Sequence, residues 1–178
     1  MEVTEIDIPG EFRRLEEAFE AFEALRQEGP SICGARDPEV SGWSVEQHLF
    51  HIALATDLAF QHVRSLVAGK GRLIQAEGAI DPRAADVLQS DRTPRGAAQA
   101  PRMVTPDAEV DPEYLATELR MNREALQKLR ELEVEIQAAP GWIPHQVLGP
   151  LAAKHWLRFA ALHARHHWAI IRDVLPLS

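Results

Sequence analysis

The feature that most constrains the fold is a helical spacing of apolar residues, which recurs in four stretches of this chain. The first stretch has one apolar face with residues spaced by 3, 4 and 3 positions: Phe12, Leu15, Phe19 and Phe22. The four predicted helices cover residues 11–26, 44–68, 112–132 and 151–174. Long runs in which apolar and polar residues alternate are absent from the sequence, so we expect an all-α protein.

Residues that favour helix starts precede two of these stretches. Ser44 can cap the second helix, and Gln47 three residues later completes a capping-box pattern. Asp111 can cap the third helix, with Pro112 at its first position. The prediction of the second and third helices therefore does not rest on apolar periodicity alone.

A connection of some 40 residues, 70–111, separates the second and third helices. It is rich in Pro, Gly and Ala, and its segment PRAADVLQS (82–90) can form a short helix. Connections of this length inside a compact domain are usually functional or mobile. The sequence therefore predicts one domain over residues 1–178, a four-helix bundle with a long crossover.

Composition limits the classes of partner. The chain has 19 Lys and Arg against 27 Asp and Glu, a net charge of −8, which argues against a nucleic-acid or anionic-membrane surface. No apolar run reaches transmembrane length, and the first residues lack the pattern of a secretory signal. The single cysteine, Cys33, excludes an internal disulfide and suits the cytoplasm. We interpret it as an inert thiol rather than a nucleophile, since no base lies beside it in the sequence.

The last predicted helix carries two histidines on its core face. Its buried seam follows spacings of 4, 3, 4, 3 and 4: Trp156, Ala160, His163, His167, Ile170 and Val174. The His163 and His167 imidazoles lie one turn apart on this seam and can converge. A second row, expected to be wetter, contains His155, Leu162, His166 and Asp173.

Buried imidazoles need partners for both ring nitrogens. A metal ion would bind two neutral imidazoles at once, whereas the simpler alternative is a pair of core histidines bonded to the backbone or to each other. A third ligand from the second helix would favour the metal. That helix offers His48 and His51, but it is apolar nearly all round, so periodicity leaves the choice open. His62, near its end, is expected to be exposed.

Some further side chains have two interpretations each. His145, in a loop before the last helix, either borders the site or is solvated. Trp43 and Trp142 either wall a pocket or pack at helix starts. Asn122, which interrupts the apolar stripe of the third helix, is either a substrate contact or an amide at the edge of the core.

Two motifs of the chain are similar to those of a known family. One is WSVEQHLFH (43–51), in which a tryptophan precedes a histidine by eight residues. The other is HQVLGPLAAKHWLRFAALHARHH (145–167), which contains the histidine pair, and the linker APRMVTP (100–106) is also similar. In this order and spacing they resemble the DinB/YfiT-like superfamily of metal-binding four-helix bundles, across nearly the whole chain.

The resemblance implies a three-histidine metal site at His51, His163 and His167, and it thereby selects His51 over His48. We therefore expect His48 and His166 to point away from the site. Three neutral imidazoles leave a coordination position open, as in catalytic zinc sites. Zinc is the expected divalent ion, with nickel or another first-row ion as alternatives. The chain departs from its relatives at Ala152, where they often carry a hydroxyl residue. It departs again at 169–171, where they often carry a polar residue that could contact substrate.

The superfamily includes bacillithiol- and mycothiol-dependent transferases and isomerases. The resemblance therefore implies a transferase that acts on a small molecule, with a low-molecular-weight thiol as co-substrate, and it makes a homodimer plausible. It assigns no general acid or base. A hydrolase using metal-bound water at the same site is one alternative. The other is a non-catalytic, stress-related bundle that the metal only stabilises, which predicts a closed site without a cavity.

Overall fold

The computed structural model describes residues 5–90, 93, 95–96 and 99–175. Four long helices form the bundle, as predicted, and shorter elements join them. In chain order the elements are α1 (Ile8–Gln27), α2 (Pro30–Cys33), α3 (Val45–Ala68), α4 (Pro82–Ser90), a 3-10 helix (Arg102–Val104), α5 (Pro112–Arg130), α6 (Glu133–Ala138), β1 (Ile143–His145), β2 (Gly149–Leu151) and α7 (Ala153–Val174). Among the described residues, none of the helices combines the length and the apolar character that a membrane span requires.

The core lies between the four long helices. Both α5 and α7 pack against α1 and α3. The apolar stripes expected from the sequence face this core, and the four aromatic and aliphatic residues of the α1 stripe are 0–1% exposed. The fold is therefore the all-α bundle that the periodicity predicts, and α3 and α7 are in direct contact.

The predicted caps of α3 and α5 are confirmed. The Gln47 backbone N–H donates to Ser44 Oγ at 3.3 Å, and the Ser44 N–H donates to Gln47 Oε1 at 3.0 Å. Asp111 accepts from the Glu113 N–H at 2.9 Å. Because the capping box fixes where α3 begins, it also fixes the position of the histidines one and two turns later.

The connection between α3 and α5 is attached to the bundle. The Gln47 side chain donates to the Asp107 carbonyl at 2.8 Å. The α4 segment, predicted at 82–90, packs on α7, where Arg158 donates to the Leu88 carbonyl and pairs with the buried Glu11 carboxylate at 2.8 Å. These contacts hold the connection against α3 and α7.

Three local features differ from the sequence expectation. The third helix ends at Arg130, and α6 follows it. Leu151 lies in β2, so α7 begins at Ala153 rather than Leu151. The row expected to be wetter is partly buried, with His155 4% and Leu162 3% exposed. The Trp142 ring covers His155 at 5.8 Å, and backbone hydrogen bonds to Gln75 hold Trp142 in place.

The buried His155 predicts a specific acid sensitivity. Burial, and then the charge of Lys154, lowers the pKa of His155 to about 4 from its ordinary 6.5. The unfolded chain therefore binds this proton first, and the stability conferred by neutral His155 is present above pH 6.5 and is lost as the pH falls towards 4. The loss is on the order of 3 kcal/mol for a shift of this size.

His155→Gln tests this expectation. Glutamine at this third helical position can accept the Ala152 N–H, as His155 Nδ1 does at 3.2 Å, but it does not titrate. Urea unfolding of both proteins between pH 7.5 and 4.5 should show a shallower decline in the free energy of unfolding for the variant. Parallel curves would contradict the assignment.

Candidate metal centre

Helices α3 and α7 bring together three imidazoles, the histidine cluster of His51, His163 and His167. Each residue offers one ligand atom, and these atoms all lie within 4.8 Å of one another. Nε2 of His51 is 3.2 Å from Nε2 of His163. Ligands of a tetrahedral ion with bonds of about 2.0–2.1 Å lie about 3.3–3.4 Å apart, so this pair fits a shared ion. The cluster could hold a divalent metal.

A backbone carbonyl orients His51. Its Nδ1 donates to the Val104 carbonyl at 2.6 Å, from the 3-10 helix of the long connection. Because a carbonyl can only accept, the proton of neutral His51 is on Nδ1 and the lone pair is on Nε2. Nε2, which faces His163, is therefore the nitrogen that is available to a metal.

A second imidazole contacts His167. Nδ1 of His48 is 2.9 Å from Nδ1 of His167, and Nε2 of His48 is 2.9 Å from Ser41 Oγ. With the His48 proton on Nε2, its Nδ1 accepts from His167 Nδ1–H, which leaves Nε2 of His167 free. His48 thus does not point away from the site. It supports His167 from outside the cluster, as ligand-orienting residues do at metal sites.

His166 stands apart from these contacts. It is half-buried and hydrogen-bonded to the backbone of Thr93, with its ring 5.1 Å from that of His167. The two neighbouring histidines of α7 therefore have different environments, in agreement with their different rows on the helix.

The cluster is held in the uncharged form that binds metals. Burial, followed by repulsion from neighbouring imidazoles, lowers the pKa of His163 and of His167 well below the ordinary value. Burial also lowers the pKa of His51, against an opposing contribution from its bond to Val104. Burial is also the main reason why the pKa of His48 falls to about 4. Neutral imidazoles need no deprotonation before an ion binds.

A cavity of about 1060 Å³ opens beside the cluster. It is bounded by α3, α7, the long connection and the β-hairpin. Trp43 forms part of its wall, with its ring 4.9 Å from that of His51 and stacked on that of His167 at 6.2 Å. A cavity of this size is at the upper end of the range for ligand-binding sites, about 300–1,000 Å³.

The structure decides the remaining sequence alternatives. Trp142 packs on Gly78 and His155 instead of walling the cavity, and Asn122 is a buried core amide that donates to the Ala53 carbonyl at 2.8 Å. The Cys33 thiol contacts the Arg26 carbonyl at 3.5 Å, and burial raises its pKa, as suits an inert thiol.

Two further histidines line the cavity. His62, expected to be exposed, is half-buried with its ring 4.5 Å from that of Trp156. His145 lies in β1, and its ring is 4.5 Å from that of Phe159. It therefore borders the site, which is one of its two interpretations from the sequence. The sequence carried no signal for the pairing of His62 with Trp156, because it depends on how α3 packs on α7.

Comparison with known proteins assigns the family. The fold and the histidine cluster define a helical bundle able to hold a metal ion. The sequence profile of the DinB superfamily matches residues 12–171, and the chain belongs to this superfamily. No curated protein and no solved structure gives a significant match.

Hydrogen bonding at the site predicts opposite tautomers for two histidines. In metal-free protein at pH 7, His51 should carry its proton on Nδ1, because Val104 accepts it. His145 should carry its proton on Nε2, because its Nδ1 accepts from the Val147 and Leu148 N–H groups at 3.1 and 3.2 Å. Long-range ¹H–¹⁵N correlation spectra distinguish the two forms. The same tautomer at both positions would contradict these contacts.

Proposed function

We propose that the protein is a metal-dependent transferase that uses a low-molecular-weight thiol and acts at the histidine cluster. Zinc is the proposed ion, and a small molecule is the proposed acceptor. The observation that carries the proposal is the convergence of three neutral imidazoles beside a cavity of about 1060 Å³. Three imidazole ligands leave a further coordination position for a co-substrate.

Each residue of the site has a distinct part in this proposal. His51, His163 and His167 would hold the ion through Nε2, and the ion would supply positive charge that favours the ionised form of a thiol. The Val104 carbonyl and His48 orient two of these imidazoles through their Nδ1 atoms. The Trp43 ring excludes water from one side of the cluster.

The cavity favours an enzyme over a bundle that a metal only stabilises, since the latter needs no open space beside its ion. A hydrolase at the same site differs in one measurable respect, because its turnover does not require a thiol.

The proposal further assigns the protein to the cytoplasm, where small thiols are kept reduced. It includes no nucleic-acid or membrane partner, and a homodimer remains a prediction.

A thiol-conjugation screen tests the reaction class. Zinc-loaded protein is incubated with a panel of aromatic and aliphatic electrophiles, with and without bacillithiol, mycothiol, glutathione or cysteine. Thiol-dependent product formation above the uncatalysed rate supports the transferase. Hydrolysis that is unchanged by added thiol identifies the hydrolase and overturns the proposal, as does the absence of any turnover across the panel.

His167→Ala should abolish metal binding while leaving a folded helical protein. The truncation creates a cavity in the core face of α7 and costs about 1–3 kcal/mol, which a domain of this size tolerates. Metal analysis of untagged protein, together with circular dichroism, provides the measurement. His166→Ala is the matched control and should retain the metal. Equal metal content in the two variants would refute the site.

His48→Phe should weaken metal binding without abolishing it. The variant keeps a ring in the same space but removes the acceptor for His167 Nδ1–H, and a loss of this kind lowers metal affinity about 10–100-fold. His48→Asn, whose amide oxygen can take the place of Nδ1, should recover part of the affinity. Competition with a chromophoric chelator measures both. Wild-type affinity in His48→Phe would show that His48 only packs.

A further inference from the structure

The wall of the cavity away from Trp43 is aromatic and continuous. We refer to His62, His145, Trp156 and Phe159 as the aromatic wall. The His145 ring lies 4.5 Å from that of Phe159 and 5.4 Å from that of Trp156, and the His62 ring lies 4.5 Å from that of Trp156. Phe159 in turn stacks on His163 at 5.4 Å. A flat molecule on this wall would therefore reach the histidine cluster.

His145 places a fixed donor in this wall. Its Nδ1 accepts from the Val147 and Leu148 N–H groups of the hairpin turn, so the proton of the neutral ring is on Nε2. Nε2 has no hydrogen-bond partner among the residues that the structure describes. Burial also keeps the imidazole uncharged by lowering its pKa to about 4. The wall thus presents an uncharged N–H donor among aromatic rings.

Apolar side chains surround the same cavity on its exposed side. Leu73, Met103 and Val147 line it and are 56%, 69% and 50% exposed. Exposed apolar groups gathered around a concave site are typical of ligand-binding sites. They favour a ligand with an apolar body.

We propose that the aromatic wall is the subsite for the second substrate, an uncharged aromatic molecule with a hydrogen-bond acceptor such as a carbonyl oxygen. The acceptor receives the Nε2–H of His145, and the ring system packs on Trp156 and Phe159. An apolar wall with a neutral donor suits an uncharged acceptor, because burying a carboxylate there would cost its hydration. The inference rests on the proposed function for the reaction, but binding to the wall needs no metal.

Three naphthalene probes test the proposal on metal-free, full-length protein. They are 2-acetylnaphthalene, which has an uncharged acceptor, 2-ethylnaphthalene, which has none, and 2-naphthoate, which is charged. Calorimetric titration should give 2-acetylnaphthalene an affinity about 3–10-fold above that of 2-ethylnaphthalene, as expected for one hydrogen bond. 2-Naphthoate should bind most weakly. Equal affinities, tightest binding of 2-naphthoate or no binding of any probe would overturn the proposal.

Variants of His145 separate the hydrogen bond from packing. His145→Asn can still accept the turn N–H groups but lacks the Nε2 donor, and it should lose the preference for 2-acetylnaphthalene over 2-ethylnaphthalene. His145→Gln, which carries a donor near the position of Nε2, should keep part of the preference. His166→Asn is the matched control and should keep all of it. A preference that survives in His145→Asn would refute the role of His145.

The same experiments distinguish failure of this proposal from failure of the proposed function. His167→Ala removes the proposed metal site but leaves the aromatic wall intact, so its probe affinities should stay within about twofold of wild type. Absence of thiol-dependent turnover in the zinc-loaded wild-type protein, with probe selectivity retained, would reject the transferase alone. Retained turnover without probe selectivity would reject the subsite alone.

Discussion

The site depends on uncharged imidazoles that are buried or half-buried between α3 and α7. Each neutral ring has one N–H and one lone pair, and both require a partner once water is removed. The Val104 carbonyl takes the N–H of His51, and His48 can take that of His167. Because one nitrogen of His51 and one of His167 are satisfied from outside, the other nitrogen of each ring is directed into the histidine cluster. A divalent ion is the partner that three converging lone pairs suit best.

The long connection between α3 and α5 is part of this arrangement. It provides the carbonyl that fixes the His51 tautomer, and it forms one side of the cavity. The Gln47 side chain links the capped start of α3 to the same connection through the Asp107 carbonyl. The element that fixes the start of the helix thus also positions the segment that orients its histidine. Long connections in compact domains often have such functional roles.

Much of the fold could be predicted from local features of the sequence. Apolar spacing located the four long helices, and Ser44 and Asp111 marked two of their starts, because these signals depend only on neighbouring residues. The same spacing wrongly predicted that His155 and Leu162 lie on a wetter face of the last helix, whereas both are buried. Periodicity gives the rotational position of a residue on its helix, but it does not reveal what covers the face. Trp142, tied to the connection by backbone bonds at Gln75, covers His155.

The sequence by itself determined that His163 and His167 share the core face of the last helix, since their spacing of four residues is only slightly more than one full turn. It could not choose between His48 and His51 from periodicity, because the surrounding helix is apolar on almost every side. The two are separated by about 60° around α3 and about 4.5 Å along it. Only the rotation of α3 against α7 decided that His51 joins the cluster and that His48 supports it, since helix packing fixes which imidazole reaches the partner helix.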